Sequence, residues 1–257
     1  MTRIFITGSS DGIGLLTARN LIAQGHDVYL HARNVQRASQ TKSAAPGARE
    51  VLVADISTLG GMKDLADSAN QHAPFDTVIH NAGIGYQEPF SLTEDKIAKV
   101  FAVNSLAPYV LTALIKKPKS QILYMSSGLH TGGDSSLSDV MWTKKRWSGI
   151  QAYSDSKLHN VMLGFAMARL WPDLKSNVVN PNWVRTKMGG AGAPGEVEAG
   201  ADTLTWLAGE DGSGDQSGQY YDNRKAKRTH PDAGNVELQD KLLSMYEDIS
   251  GVPRPTA

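Results

Sequence analysis

Thr7-Gly8-Ser9-Ser10-Asp11-Gly12-Ile13-Gly14 is the stretch on which the fold of this chain turns. An apolar run, Arg3–Thr7, leads into it as a strand. Gly12–Gln24 leaves it as a helix, with Ile13, Leu16, Leu21 and Ile22 available for a buried face. Gly25 follows as a C-terminal cap. A strand, a glycine turn and a helix in this order bring backbone N–H groups and a helix N-terminus to one place, where a pyrophosphate can bind. Each glycine there permits a tight turn, a close approach of backbone to phosphate, or close packing of helix on strand. A plain strand-to-helix loop is the alternative. The spacing is G-x-x-x-G-x-G rather than G-x-G-x-x-G.

The same rhythm continues outward. Asp27–His31, Glu50–Ala54, Asp76–His80, Gln121–Met125 and Ser176–Asn180 are short β-rich runs. Val35–Ser43, Gly60–Gln71, Glu94–Ile115 and Gln151–Leu170 are helical stretches between them. Strands alternating with helices form right-handed βαβ units. The expected fold is therefore α/β, a Rossmann-type doubly wound parallel sheet flanked by helices. Thr131–Gly149 interrupts it with a polar, Trp-containing segment, and Gly189–Gly200 reads as a mobile loop. Ala201–Ala208 is a short helix, Gly218–Tyr221 a last strand and Val236–Ile249 a terminal helix. With no internal repeat and no long linker, residues 1–257 are expected to form one domain. Its nucleotide half is about 1–120 and its catalytic half about 121–257.

Composition narrows the function. The 257 residues carry 26 basic and 26 acidic side chains, a formal net charge of zero. That balance argues against a nucleic-acid surface or a polybasic membrane patch. The absence of cysteine excludes disulfides, thiolate catalysis and cysteine-ligated metal centres. No His/Asp/Glu set has metal-ligand spacing, so no catalytic metal is expected. No apolar run approaches the roughly 18 residues needed to cross a bilayer. Met1-Thr2-Arg3 runs straight into Ile4-Phe5-Ile6, leaving no room for a signal peptide, and a cytoplasmic setting is expected.

The second strand ends in Leu30-His31-Ala32-Arg33-Asn34. An NAD-selective site needs a carboxylate here to accept from the ribose 2′-OH, and none is present. Ala32 leaves space, and Arg33 offers a fork of donors suited to a 2′-phosphate, with Arg37 one helical turn further. NADP(H) is favoured over NAD(H); a solvated loop arginine is the plainer reading of Arg33. Asp55 ends the third strand, able to accept from an adenine amino group with Ile56 against the ring, or to serve as a turn or cap residue.

Tyr153-Ser154-Asp155-Ser156-Lys157 opens an apolar helix, and residues four apart share a face. A phenol titrates too high for proton transfer at neutral pH, and a neighbouring cation is expected to lower it into use as a general acid–base. Ser126-Ser127 ends the fifth strand, at the sheet edge where such sites form. Asn104 lies inside the preceding long helical stretch, where an amide is a poor helix former.

These pieces, taken in order with His80-Asn81-Ala82-Gly83 and Asn180-Pro181-Asn182, make the chain resemble a short-chain dehydrogenase/reductase of the single-domain type over nearly its whole length. More loosely, Ala201–Ala208 and Ser217–Tyr221 are similar to the retinol-dehydrogenase and WW-domain-oxidoreductase-like branch. The resemblance implies an NADP(H)-dependent oxidoreductase that interconverts a carbonyl and an alcohol. It implies Tyr153 as the proton donor and acceptor, Lys157 lowering its pKa and binding the nicotinamide ribose, Ser127 positioning the substrate oxygen, and Asn104 holding a water linked to Lys157. It places Gly8, Ser10, Asp11, Gly12, Ile13, Gly14, Arg33, Asp55, Ile56, Asn81, Ala82, Gly83, Val184 and Thr186 around the cofactor.

Three positions depart from the family pattern. His80 stands where asparagine is commoner and is expected to be structural. Asn182 stands where glycine is usual, and Asp11 places a carboxylate in a turn meant for a polyanion. The substrate is expected near Ser127 and Tyr153, against Leu129, His130, Trp183 and Met188, a mixture that suits a small apolar carbonyl or alcohol. Trp142 and Trp147 either join that pocket or anchor loops to the core. A non-catalytic NADP(H) sensor on the same fold is the alternative function, although the tyrosine and lysine are both present. Members of the family often pair through the tyrosine helix and its neighbour. Here the neighbour is stopped by Pro118, and the long Ser127-to-Tyr153 segment must lie beside the tyrosine helix. A monomer or weak homo-oligomer is expected.

Overall fold

The computed structural model describes residues 1–209 and 216–256. Its elements run β1 (Arg3–Ile6), α1 (Gly12–Ala23), β2 (Asp27–Ala32), α2 (Val35–Ala44), β3 (Glu50–Val53), α3 (Leu59–Asn70) and β4 (Thr77–His80). They continue with α4 (Lys99–Phe101), α5 (Ala107–Leu114), β5 (Gln121–Met125), α6 (Gly149–Leu170), β6 (Lys175–Asn180), α7 (Val197–Ala208), β7 (Tyr220–Asp222), β8 (Lys225–Ala226) and α8 (Val236–Ser250). The strands form one sheet in the order β3-β2-β1-β4-β5-β6-β7-β8. Every pairing is parallel except β7 with β8. This is the doubly wound α/β sheet the alternation predicts.

The pleat sorts the strand residues between two cores. Ile4, Ile6, Leu123, Val179 and Tyr221 face α1 and α7. Phe5, Ile122, Tyr124, Val178 and Tyr220 face α3, α5, α6 and α8. Side-chain caps start the helices: Asp11 accepts from Gly12 N, Asn34 from Arg37 N, Thr58 from Gly61 N and Ser148 from Gln151 N. Gly25, at φ +84°, follows the last turn of α1.

Several expected boundaries move. The helix expected over Glu94–Ile115 starts only at Lys99, because Lys96 takes φ +61° and Thr93 N donates to Ile97 O, closing a turn first. Within it, Ala102–Leu106 is π-helical. Pro108 supplies the reason: it has no N–H to donate in the α register and its ring crowds the Asn104 carbonyl four residues back.

Residues 197–200 belong to α7 rather than to the expected loop. Gly200 sits inside the helix where a Cβ would meet Ile13 and Val184 at 3.1 Å, so it is a packing glycine. The last parallel strand is shifted to Tyr220–Asp222. Asn223 and Arg224, both at positive φ, turn it back into β8, a hairpin absent from the sequence reading.

Gly164 brings α6 against the sheet. A Cβ there would lie 2.5 Å from Val178 Cγ2 and 3.3 Å from Tyr124 Cδ2, both fully buried side chains. Gly164→Ala is expected to lower stability by about 1–2 kcal/mol, overpacking outweighing the gain in helix propensity. Urea denaturation checks this; a higher midpoint would show that the contact relaxes freely.

Candidate active site

β1 and β4 are neighbours, but the chain leaves β1 toward α1 on one face and β4 toward α5 on the other. A crevice opens at such a switch point, beyond the C-terminal strand ends. Here it is a cleft of about 880 Å³. Gly8, Ser10, Asp11, Gly12, Ile13, Gly14, Arg33, Asp55, Ile56, Asn81, Ala82 and Gly83 all line it, as do Tyr153, Lys157, Thr186 and Met188.

The turn after β1 is shaped by contact with the end of β4. Gly8 has φ +61°, and a Cβ on it would lie 2.5 Å from Ala82 Cα. A Cβ on Gly14 would lie 2.4 Å from Asn81 Nδ2 and 2.7 Å from Gly8 O. Asn81 Nδ2 donates to the carbonyls of Thr7 and Gly8 at 3.0 and 2.9 Å, and the Asn81 and Ala82 amides donate to Thr7 Oγ1. Gly12, Ile13 and Gly14 of the first turn of α1 border the cleft; the Gly12 N–H is taken by Asp11, and those of Ile13 and Gly14 have no partner within the helix. Asp11 caps α1 and receives Arg37 Nη2 at 3.2 Å and Lys187 Nζ. Burial opposes its ionisation, yet the bonds from Lys187, Gly12 and Arg37 hold its pKa below the usual value. The carboxylate in the turn is thus neutralised by two cations.

The donors present fit a dinucleotide. Arg33 and Arg37 stand together at one end of the cleft, and Arg37 also reaches Ser10 O. Asp55 accepts from Ser57 N at 3.0 Å, the turn role weighed for it, while still bordering the cleft. Ile56 is buried in the core, with an edge on the cleft.

At the other end lies the tyrosine. Lys157 is 2% exposed; its Nζ donates to Met125 O at 3.2 Å and lies 5.4 Å from the centroid of the Tyr153 ring. Ser126 Oγ donates to the Lys157 carbonyl at 2.8 Å, pinning β5 to α6. The side chain of the second serine, Ser127, acts on the Tyr153 phenol and favours its ionised form. Asn104, in the π-helical turn, accepts from Ile84 N at 2.8 Å and donates to Ile84 O and Ser156 Oγ. It lies beside Lys157 across Gly83.

One expectation about this pair is corrected. Burial pushes the Tyr153 phenol up to about 12; the bond with Ser127 works against this and Tyr86 adds to it. Burial likewise pushes Lys157 down to about 8. Desolvation dominates both shifts, so the phenol holds its proton at neutral pH.

Two expected substrate positions, His130 and Trp183, and one expected cofactor position, Val184, are corrected. His130 is 1% exposed: its Nδ1 donates to Ser127 O at 2.7 Å and its Nε2 accepts from His230 N, so it braces the serine from behind. Val184 is buried against Gly195 and Gly200 rather than lining the cleft. Trp183 is 54% exposed and donates its indole N–H to Gly189 O, holding its own loop. Leu129 is exposed, and Met188 borders the cleft with its carbonyl bonded by Gln87. Trp142 is a core residue packed with Val100 and Ala152, while Trp147 bridges it to Phe90. His80 is structural as expected, buried against Thr112 and Tyr124.

Sequence reasoning missed Tyr86, whose ring stands edge-on to Tyr153 at 6.1 Å, and Lys187. Neither belongs to a motif; only the fold brings them to the site. Among the described residues no helix is long and apolar enough to cross a membrane, and no group of three or more His, Asp or Glu is placed to hold a metal.

Comparison with known proteins agrees with this geometry. The short chain dehydrogenase family model matches residues 2–196, and the chain belongs to that family of oxidoreductases, which bind a nicotinamide cofactor. It is 48% identical over 263 residues to an uncharacterized oxidoreductase of Emericella nidulans, covering 99% of each chain. Retinol dehydrogenase 13 of Homo sapiens is 25% identical, with 98% of this chain and 86% of that protein covered. A short-chain dehydrogenase from Burkholderia cenocepacia, solved in complex with NADP, superposes with a TM-score of 0.68 at 24% identity, over 85% of this chain and 94% of that one.

The buried lysine generates a stability prediction. Its folded pKa of about 8 lies below the ordinary 10.5. Between these values the unfolded chain holds a proton that the folded chain has released, so stability from this group rises with pH across the window. At neutral pH the folded protein bears the full cost of the buried ammonium. Lys157→Met is expected to raise stability at pH 7 by about 1–3 kcal/mol, the gain fading toward pH 10.5. The Met125 carbonyl keeps Asn160 Nδ2 as a donor at 2.9 Å. Urea denaturation at the two pH values measures this, and a loss of stability at pH 7 would contradict it.

Proposed function

We propose that the chain is an NADP(H)-dependent oxidoreductase that interconverts a carbonyl compound and an alcohol, with Tyr153 as general acid and base. The observation that carries this is the meeting of Tyr153 and Lys157 on the wall of a cleft that Arg33 and Arg37 also line, with Ser127 acting on the Tyr153 phenol. The nicotinamide cofactor supplies the hydride in reduction and receives it in oxidation. The glycine turn and the N-terminus of α1 would hold its pyrophosphate, Arg33 and Arg37 its 2′-phosphate, and Lys157 its ribose hydroxyls.

The remaining chemistry belongs to side chains. Ser127 orients the substrate oxygen beside Tyr153. In reduction the Tyr153 hydroxyl gives its proton to that oxygen, and its raised pKa keeps the proton available across neutral pH. The phenolate left behind faces the Lys157 ammonium, whose charge favours it. In oxidation the same oxygen takes the proton back, which is easier as pH rises. Asn104 braces the backbone next to Lys157. Met188 on the cleft and the Tyr86 ring edge-on to Tyr153 suit a small apolar substrate.

The same reading makes the protein a monomer or a weak homo-oligomer. α8 and the turn at residues 231–234 pack along α6. Gly133 sits where a Cβ would meet Leu158, and Asp134 N donates to Asp155. The face of α6 that would pair with a second copy is covered by its own chain.

A panel of ketones, aldehydes and alcohols with NADPH, NADH and their oxidised forms, followed by nicotinamide absorbance, tests the activity. Arg33→Ala is expected to raise the KM for NADPH by about 10–150-fold, the loss of one charge-assisted contact, with little change for NADH. Equal use of NADH and NADPH by the unaltered protein would refute the arginine's role.

A further inference from the structure

His31 was absent from the candidate residues, yet both of its ring nitrogens are bonded beside the cofactor cleft. It is 3% exposed, at the end of β2. Its Nδ1 accepts from Gly8 N at 3.0 Å, and its Nε2 lies 2.9 Å from Ala54 O at the end of β3. Its backbone is tied to the same turn: His31 N donates to Ser9 Oγ at 2.8 Å, Ser9 N donates to His31 O, and Ser9 Oγ donates to Ile6 O. One residue thus joins β1, β2 and β3 through the turn.

The two ring contacts select a single state. Gly8 N–H must donate, so Nδ1 carries no proton; Ala54 O must accept, so Nε2 carries one. Neutral imidazole satisfies both partners, and imidazolium would set N–H against N–H at Gly8. Burial holds the ring's pKa below the ordinary histidine value, with the Ala54 bond and Asp55 acting the other way. The charged groups around it are Asp55, Arg33, Arg37 and Asp11, all on the same cleft. Because the Gly8 amide is committed to the ring, the glycine at φ +61° is locked in the shape that seats it on Ala82.

We propose that His31 is a positioning residue for the nucleotide, its Nδ1 holding the glycine turn in the shape that receives the pyrophosphate shared by NADPH and NADH. The inference rests on the nicotinamide-cofactor reading of the cleft. A turn that spends only part of its time in the competent shape binds more weakly by that fraction, without a change in the chemical step.

Three variants separate the two ring bonds. His31→Asn keeps an acceptor near the Nδ1 position and gives up Ala54. His31→Gln reaches toward Ala54 and gives up Gly8. His31→Leu loses both. NADPH and NADH are titrated by nicotinamide fluorescence on the full chain, alongside thermal unfolding and steady-state kinetics. The expected result is an affinity close to the original in the asparagine variant and a loss of about 5–30-fold in the glutamine and leucine variants. The loss should be equal for NADPH and NADH, with KM changed far more than kcat. If the leucine variant does not fold, the asparagine and glutamine pair decides. Equal weakening of that pair, undiminished affinity in the leucine variant, or a loss confined to NADPH would each overturn the role. Failure of the unaltered protein to bind either nucleotide would instead overturn the cofactor reading beneath it.

Discussion

The site depends on how closely the turn after β1 approaches the end of β4. The two strands lie side by side, and their connections depart to opposite faces of the sheet, so nothing covers their ends from above. The gap between them is bridged by contact at a range only glycine permits. Gly8 stands on Ala82, and Gly14 stands on Asn81. Asn81 then donates to Thr7 from both its backbone and its side-chain N–H, tying the turn to the end of β4 while Ile13 and Gly14 of α1 border the cleft. A side chain at either glycine would push β4 and the turn apart, and with them the segment that carries Gly83 to Lys157 and Asn104.

From that point the sheet edge sets the chemistry. β5 delivers Ser126 and Ser127 to the mouth of the cleft. The first serine is used to hold α6 and the second is left facing the phenol. α6 is drawn onto the sheet at Gly164, which fixes Tyr153 and Lys157 one helical turn apart on the cleft wall. The result is an uncomfortable pair. A buried ammonium and a buried phenol each cost stability in the charged form, and each is shifted toward neutrality. Proton transfer from the phenol creates the one arrangement, phenolate beside ammonium, in which the two charges compensate.

Much of this was legible in the chain. The strand–glycine–helix unit, the parallel order and the tyrosine–lysine spacing follow from periodicity of 2 and 3.6 and from glycine placement, which are local properties. Most site positions drawn from the resemblance line one cleft. What was not legible depends on tertiary contact. The amide in a helical stretch pointed correctly to something unusual at Asn104, but the π-helical turn required the relation to Pro108. Gly200 read as a loop residue because nothing local shows that α7 must press on α1. His130 was placed against the substrate by its nearness to Ser127 in sequence; a tight turn of the chain there folds its ring under the serine instead. The sign of the tyrosine shift was missed because spacing gives proximity to a cation and says nothing of burial.

The central claim is that the Tyr153 hydroxyl carries the transferred proton. Its most direct test is a single-turnover measurement of NADPH oxidation by a carbonyl compound that the unaltered protein reduces, repeated with Tyr153→Phe, together with NADPH titration of both proteins. The account predicts that hydride transfer slows by roughly 10²–10⁴-fold while NADPH affinity holds. Transfer at the original rate with the phenyl ring in place would contradict it.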